Sequence, residues 1–323
     1  MKTVLGFPLN LPLNASAHGA EIDRLIAMVH WLMLVLFIGW GAFFIYTLIR
    51  FRKGRNPKAD YEGVKTHTST YLEISVAVVE AILLIAFSYP IWAQRVNELP
   101  PEDKATVVRV IGEQFAWNIY YPGADGKFGR RDPKLVTAEN PFGVDPDDPA
   151  SKDDIVVQND LHVPVNKPVI IHVGTKDVIH CFALQQMRIK QDTIPGADIP
   201  IWFKPILTSD QVRETMIRTF HMGDTIPADY VAMQDYNGKD GAVAVKKLEP
   251  LNDANIAKLK EAGVTEFLGA PATPMEISCA QLCGVGHYRM RGYFTVDTEE
   301  QFAAWMAEKA KTSSGSAGGN QYE

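Results

Sequence analysis

An uncharged stretch near the start of the chain, residues 25–49, is the feature that most limits how this chain can fold. As a helix it is long enough to cross a hydrocarbon layer of about 30 Å. Apolar side chains would cover all sides of that helix, which disfavours a surface helix of a soluble protein. A second apolar stretch, 74–92, contains the single charged residue Glu80. We therefore predict an N-terminal transmembrane helical hairpin with spans at about 25–49 and 72–94.

The loop between the two predicted spans is basic. Its Lys and Arg residues outnumber Asp60 and Glu62, and they are Arg50, Arg52, Lys53, Arg55, Lys58 and Lys65. By the positive-inside rule this loop faces the cytoplasm. The N-terminus and everything after the second span then lie on the other side of the bilayer. We expect a multi-pass protein of the cell (inner) membrane whose main domain is extracytoplasmic, on the periplasmic side.

The remainder of the chain is predicted to be β-rich. Short runs of β-branched and aromatic residues are separated by turn residues, a pattern typical of an all-β barrel or sandwich. The runs are 105–111, 115–121, 169–173, 178–184, 275–278 and 292–296. We predict three helices. The first begins at Asp210 and is opened by Thr208 and Gln211, and the second covers 254–262 and is capped by Asp253. The third is amphipathic and covers 298–311.

These patterns divide the 323 residues into three parts. Residues 1–99 hold the N-terminal segment and the hairpin, 100–311 form the extracytoplasmic domain, and 312–323 are a Gly/Ser-rich tail predicted to be disordered. Two stretches of the domain are longer than a compact β fold needs, at about 122–154 and 208–273. The net charge of −6 argues against nucleic acid as a partner.

A cluster of soft metal ligands lies near the end of the chain, in C-A-Q-L-C-G-V-G-H-Y-R-M, residues 279–290. Thiolate, imidazole and thioether favour copper or zinc over hard cations. Two cysteines four positions apart could bridge two copper ions, which requires a second histidine from elsewhere. His180, on an apolar strand-like run, is available. In isolation the cysteines are equally typical of a redox pair or half a zinc site, and a lone histidine is usually a core residue.

Taken together, three motifs resemble subunit II of the haem-copper cytochrome c oxidases. They are D-V-I-H at 177–180, K-Q-D-T-I-P-G at 190–196, and C-A-Q-L-C-G-x-x-H-x-x-M at 279–290, and the resemblance covers 20–208 and 274–311. It implies a cofactor of two copper ions, the dinuclear copper A centre. The implied ligands are His180, Cys279, Cys283, His287, Met290 and the backbone carbonyl of Gln281. The strand pattern with such a loop between two late strands predicts a membrane-anchored all-β fold, a cupredoxin-like Greek-key β-barrel with insertions. Cys181, next to His180, is predicted to be a core residue.

The function implied is that of subunit II of a proton-pumping cytochrome c oxidase. Such a subunit accepts electrons from cytochrome c, or from a membrane-bound cytochrome, and passes them to the haem of subunit I, where oxygen is reduced to water. No catalytic residue is expected in this chain, and His287 is the expected electron exit. The expected partners are subunit I and subunit III, the electron donor and the lipid bilayer.

Several positions depart from the family pattern. Tryptophans usually occupy the positions of both Phe115 and Trp117, the expected electron-entry segment. Gln281 stands where a glutamate usually helps to bind magnesium at the subunit I interface, and a neutral amide is a weaker ligand for that ion. Glu73 matches the entrance of a proton path, whereas Glu80, deeper in the span, is a departure that we expect to face subunit I.

Two other functions remain as alternatives. A membrane-tethered copper chaperone for oxidase assembly can also use Cys-x3-Cys with a distant histidine, but it needs only one anchor and a thioredoxin-like pattern. A quinol-oxidising homologue would lack the copper ligands. The acidic stretch 122–154 is expected to be a solvated loop that could attract a basic donor. The stretch 208–273 is expected to be a lid, a docking element or simple packing.

Overall fold

The computed structural model describes residues 3–58, 61–63, 65–239 and 241–313. They form two compact units. The first contains the chain up to Pro12 and His18–Glu98, and the second contains Leu13–Ala17 and the chain from Leu99 onwards. Most of the predicted tail, from residue 314, lies outside the described residues.

Two long helices dominate the first unit. Helix α1 is Gly19–Arg50. The second is continuous over Thr68–Asn97 and is built from α2 (Thr68–Ile82), a π-helical turn (Leu83–Ser88) and α3 (Tyr89–Asn97). The π turn precedes Pro90, whose ring removes a backbone donor from the helical ladder. Both helices are long and apolar enough to cross a membrane, and no residue in their most apolar segments is buried.

The second unit is built on two five-stranded sheets. Its main strands are β1 (Thr106–Glu113), β2 (Ala116–Tyr121), β3 (Ile155–Gln158), β4 (Asp160–Pro164), β5 (Val169–Thr175), β6 (His180–Leu184), β7 (Ile189–Thr193) and β8 (Ile199–Phe203), and, late in the chain, β14 (Glu276–Cys279) and β15 (Arg291–Asp297). The first sheet has the order β3-β2-β1-β5-β8 and the second the order β4-β15-β14-β6-β7. All six predicted strands are confirmed within two residues at each end.

One hydrophobic core is shared by the two sheets. It contains side chains such as Val110 and Trp117 from the first sheet and Phe182 and Phe294 from the second. Alternate residues of each strand point into it, as expected for sheets with one buried face. This sandwich, in which β1 pairs with β5 and β15 pairs with β4 in parallel, is the cupredoxin-like domain that the sequence predicts.

The stretch 208–273 contains a small fold of its own. It holds α4 (Ser209–Glu214), β9 (Arg218–His221), β10 (Tyr230–Ala232), β11 (Tyr236–Asn237), β12 (Val243–Val245), α5 (Asp253–Glu261) and β13 (Glu266–Pro271). Its main sheet has the order β10-β13-β9. Phe220, Tyr230 and Phe267 belong to a core separate from that of the sandwich.

One of the two predicted helix caps in this stretch is present in the structure. The capping box of Thr208 and Gln211 is confirmed in both directions. The prediction that Asp253 caps α5 is wrong, because the side chain of Asn252 accepts the hydrogen bond from the backbone N–H of Asn255. Asp253 instead begins the helix, where its charge favours the positive end of the helix dipole.

The expectation of a solvated loop at 122–154 is also corrected. Phe142 is buried against the ring of Tyr120. The acidic side chains mostly serve the loop itself: Asp145 pairs with Arg130, and Asp148 accepts hydrogen bonds from backbone N–H groups. The same is true of Asp153 and Asp154. Of the five acidic residues at 145, 147, 148, 153 and 154, only Asp147 is exposed.

The last helix, α6 (Glu299–Ser313), docks on the sandwich. Phe302, Trp305 and Met306 pack against the main core, which confirms their predicted shared face. Trp305 stacks on His162 with a centroid separation of 4.3 Å. The ring nitrogens of His162 lie 2.6 Å from Asp297 and 3.2 Å from Asp160. Because α6 ends at Ser313, it extends two residues into the region 312–323 that was predicted to be a tail.

Candidate metal centre

The stretch that carries the soft metal donors, residues 279–290, is here called the ligand loop, and it connects two adjacent antiparallel strands. Strand β14 ends at Cys279 and β15 begins at Arg291, and the backbone N–H of Cys279 donates to the carbonyl of Met290 at 3.3 Å. His180 is the first residue of β6, which is the other neighbour of β14 in the sheet. Sheet register therefore brings residues 99 positions apart in sequence to one edge of the domain.

At this edge of the domain, five side-chain donor atoms form a series in which neighbouring atoms are close together. The Nδ1 atom of His180 lies 3.9 Å from the Sγ of Cys279. The sulfur atoms of Cys279 and Cys283 are 3.8 Å apart. Beyond Cys283, its Sγ lies 3.5 Å from Nδ1 of His287 and 3.6 Å from Sδ of Met290. The carbonyl oxygen of Gln281 is 3.2 Å from the sulfur of Cys279.

These separations fit a soft metal. The cysteines are free thiols rather than a disulfide. Their separation of 3.8 Å is less than twice a metal–thiolate bond of about 2.3 Å, so one ion can contact both sulfurs. Among the described residues, His180, Cys279 and Cys283 are the one group of three His, Cys, Asp or Glu side chains placed to hold a metal. The arrangement is a cluster that could bind a metal through soft donors.

The imidazole of His180 is held by a carboxylate. Its Nε2 lies 2.8 Å from Oδ1 of Asp177. A proton on Nε2 leaves the lone pair of Nδ1 directed at Cys279, as a metal ligand requires. Burial alone would raise the pKa of Asp177, but hydrogen bonds from His180 and from the backbone N–H groups of Gln114 and Val178 lower it below its ordinary value.

The site is buried on the side of the sheet and exposed at the loop tip. His180, Cys283 and Met290 are buried. Burial, with the hydrogen bond and charge of Cys279, raises the pKa of Cys283 to about 11. This thiol therefore keeps its proton at neutral pH until a metal displaces it.

The aromatic segment predicted for electron entry lies under the loop. The ring of Phe115 packs against the backbone of Gly286, where any side chain would collide with it. The Trp117 ring is fully buried and edge-on to the imidazole of His180, at 6.0 Å between centroids. Both residues are thus near the candidate centre, and their role in electron entry stays a prediction.

The remaining predicted site residues have different surroundings. Cys181 is fully buried, which confirms its assignment to the core. Glu73 and Glu80 are exposed on α2, in the first unit, and their proton role stays a prediction. Gln281 is exposed, and the described residues provide no carboxylate group there that supports a magnesium site.

Two residues of the site had no role assigned from the sequence. Asp177 belongs to the D-V-I-H motif, and its position three residues before His180 is the signal that could have indicated a partner. Gln114 donates from its side-chain amide to the carbonyl of Cys283 at 2.6 Å, and its backbone N–H donates to Asp177 at 2.7 Å. This bridge joins distant parts of the chain, so sequence alone could not reveal it.

Comparison with known proteins places this site in context. The family profile described as cytochrome C oxidase subunit II, periplasmic domain, matches residues 106–205. An alternative cytochrome c oxidase subunit 2 from Bradyrhizobium diazoefficiens is 28% identical over 93% of this chain and 83% of its own length. Cytochrome c oxidase subunit 2 from Cereibacter sphaeroides is 29% identical over 54% of this chain and 62% of its own. The crystal structure of the periplasmic domain of subunit II (CoxB) from Bradyrhizobium japonicum covers 67% of this chain and 99% of its own at 22% identity, with a TM-score of 0.34.

The profile match includes His180 and ends just before the stretch 208–273. The residues of the ligand loop lie beyond it, so their assignment depends on the geometry described above. The apolar N-terminal helices and the periplasmic-domain match describe a membrane-anchored protein with a periplasmic domain. The chain is similar to cytochrome c oxidase subunit II, both through the periplasmic-domain profile and through the curated relatives that it matches.

Proposed function

We propose that this chain is the electron-accepting subunit of a proton-pumping cytochrome c oxidase. The observation that carries the proposal is the pair of thiols 3.8 Å apart with an imidazole beside each of them. Two thiols, two imidazoles and a thioether match the donor set of a dinuclear copper A centre. When bound, such a centre supplies reversible transfer of single electrons.

The protein groups would hold the site rigid. His180 and Cys279 lie on paired strands, and Cys283 is tied to the first sheet through Gln114. The Asp177 carboxylate fixes the tautomer and orientation of His180. A rigid ligand set changes little when charge is gained or lost, which favours rapid electron transfer. Burial of Cys283 and Met290 keeps water from the sulfur atoms.

The exposed tip of the ligand loop is the proposed contact surface for protein partners. Leu282, Val285 and Tyr288 have exposed fractions of 77%, 93% and 85%. Solvent-exposed apolar side chains around a buried centre suit docking of an electron donor or of subunit I. This surface supports the proposal better than the acidic stretch 122–154, whose carboxylates are mostly engaged within the loop. His287, at the outer end of the donor series, is the proposed electron exit.

Both apolar helices are proposed to cross the membrane, with the basic loop in the cytoplasm. The support comes from Leu13–Ala17, which precede α1 but belong to the second unit. The backbone N–H of Ala17 donates to Lys204 O, and that of Ile206 donates to Ala15 O, at 3.0 and 2.9 Å. The segment before α1 and the chain after α3 thus belong to one folded unit. Both segments must therefore lie on the same side of the bilayer.

The proton role remains part of the proposal. Glu73 and Glu80 lie seven residues apart on α2, on one helical face, and both are exposed. We expect Glu73→Gln and Glu80→Leu to lower proton pumping in the assembled oxidase. Unchanged turnover and pumping in both variants would remove these residues from the proton path.

Copper analysis of the purified full-length chain in detergent tests the main proposal. The expected result is two copper ions per chain with the absorption and paramagnetic-resonance spectrum of a mixed-valence pair. Cys279→Ser and Cys283→Ser should abolish that spectrum, whereas Cys181→Ser, a matched change at a buried cysteine outside the donor series, should retain it. A single copper ion without that spectrum would favour the chaperone alternative.

A further inference from the structure

A pocket of about 480 Å³ opens on the outer face of the first sheet, and none of the candidate metal ligands lines it. Its floor is formed by β1 and β5, and its sides by the stretch 122–154 and the turn at 196–198. Arg109 on β1 is in register with His172 on β5. Gly174 leaves the floor open, because a Cβ there would approach the carbonyl of Ala197 to 3.0 Å.

Arg109 has hydrogen-bonding capacity that its surroundings do not use. Its guanidinium lies 4.8 Å from the ring centroid of Phe128. Its Nε is buried and has no hydrogen-bond partner within the described part of the chain. The nearest carboxylate oxygen, from Asp198, is 3.7 Å from Nη1, which is too long for a hydrogen bond.

A second guanidinium shares this pocket. Arg131 donates through Nε to the carbonyl of Phe142 at 3.0 Å. Burial, followed by repulsion from Arg109, lowers the pKa of Arg131 from its ordinary value. Among the described residues, Asp198 is the single carboxylate that lines the pocket, and it is also 3.0 Å from Nδ1 of His172. Guanidinium charge therefore exceeds carboxylate charge, and an added anion would relieve the repulsion between the two arginines.

Apart from Thr175 and Lys176, the rest of the lining is apolar. Ile111, Val136 and Phe142 form walls beside the two guanidinium groups. The volume lies in the range of pockets that hold small organic molecules, and it is far larger than one phosphate ion requires. We propose that this pocket binds a small organic anion, with its carboxylate or phosphate group on Arg109 and Arg131 and its apolar body against Ile111 and Phe142.

Titration calorimetry on the full-length chain in detergent, at constant ionic strength, tests this site with inorganic phosphate, succinate and AMP as probes. Succinate or AMP is expected to bind more tightly than inorganic phosphate. Which of the two organic anions binds more tightly distinguishes a carboxylate from a phosphate ligand. Arg109→Gln and Arg131→Gln should each weaken binding about tenfold or more, as expected for loss of a charged hydrogen bond. Arg218→Gln, at an exposed arginine of β9, is the matched control and should bind normally.

A further variant covers the case in which the arginine variants do not fold. Val136→Trp leaves both guanidinium groups in place and fills the pocket from its exposed rim. It should weaken the binding of succinate and AMP. The proposal is overturned if no probe binds, if phosphate binds as tightly as the organic anions, or if Val136→Trp binds normally. An equal loss of anion binding in Arg218→Gln would also overturn the proposal, because the effect would then come from the net charge of the protein rather than from the pocket.

Discussion

Replacing Asp177 by alanine should weaken copper binding without removing any copper ligand. The carboxylate accepts from Nε2 of His180 at 2.8 Å and from the backbone N–H groups of Gln114 and Val178 at 2.7 and 2.6 Å. Without it, the imidazole loses the partner that fixes its tautomer, and the chain segment bearing it loses two backbone contacts. Loss of such a carboxylate partner typically lowers metal affinity about 10–100-fold, which corresponds to about 1.4–2.7 kcal/mol.

The Asp177 prediction can be measured by competition with a copper chelator of known affinity, read through the copper absorption of the full-length chain. Asp177→Asn retains an acceptor toward His180 but loses the charge, so its affinity should fall between wild type and alanine. Asp147→Ala, at an exposed aspartate, is the control. Wild-type affinity in Asp177→Ala would refute the view that this carboxylate orients the ligand.

Three further predictions concern packing and pH. Trp305→Ala should lower the free energy of unfolding by about 2 kcal/mol, roughly half the loss for a fully buried tryptophan, as measured by urea unfolding. Burial opposes the charged form of His162, but the hydrogen bonds that its ring donates to Asp160 and Asp297 raise its pKa above 6.5. Its stabilising contribution is therefore complete below pH 6.5 and lost as the pH rises through the folded-state pKa, and urea unfolding of His162→Gln should lack this dependence. Gly286→Ala should reduce copper retention after gel filtration, because the new methyl group meets the Phe115 ring.

Four of the candidate ligands could be grouped from the sequence because they are chemically unusual and closely spaced. Cys279, Cys283, His287 and Met290 lie within twelve residues, so no knowledge of the fold was needed to group them. The six predicted strands could be located for a similar reason, because runs of β-branched and aromatic residues are typical of buried strands and can be recognised locally. Helix α6 was predicted from the spacing of Phe302, Trp305 and Met306.

The strands that sequence reasoning missed have weaker local patterns. Strand β7 reads I-K-Q-D-T, which is polar on both sides, and it lies at an edge of its sheet. Strand β8 contains Pro200, and it too is an edge strand, where a missing backbone donor is tolerated. Hydrogen bonds between neighbouring strands define both elements, and a single sequence contains no direct record of such pairing.

The acidic stretch 122–154 shows how composition can mislead. Its aspartates predict a charged surface, but Asp148 and Asp154 accept hydrogen bonds from the backbone of the same stretch. Asp145 pairs with Arg130 in the same way. Short acidic side chains are frequent in irregular segments because they satisfy nearby N–H groups, and that use competes with a role in attracting partners.

The two halves of the candidate metal centre tolerate the long stretch between them because the sheet, rather than the connection, sets their positions. His180 and Cys279 are brought together by the pairing of β6 with β14, in which Cys279 is opposite Phe182. Of the intervening stretch, α4 contributes Val212 to the main core, and the remainder builds its own core around Phe220 and Phe267. Arg213 of α4 donates to the carbonyl of Ala272 at 2.8 Å, so the stretch leaves and re-enters the sandwich at nearly the same point. Its internal structure can therefore vary without moving the candidate metal ligands.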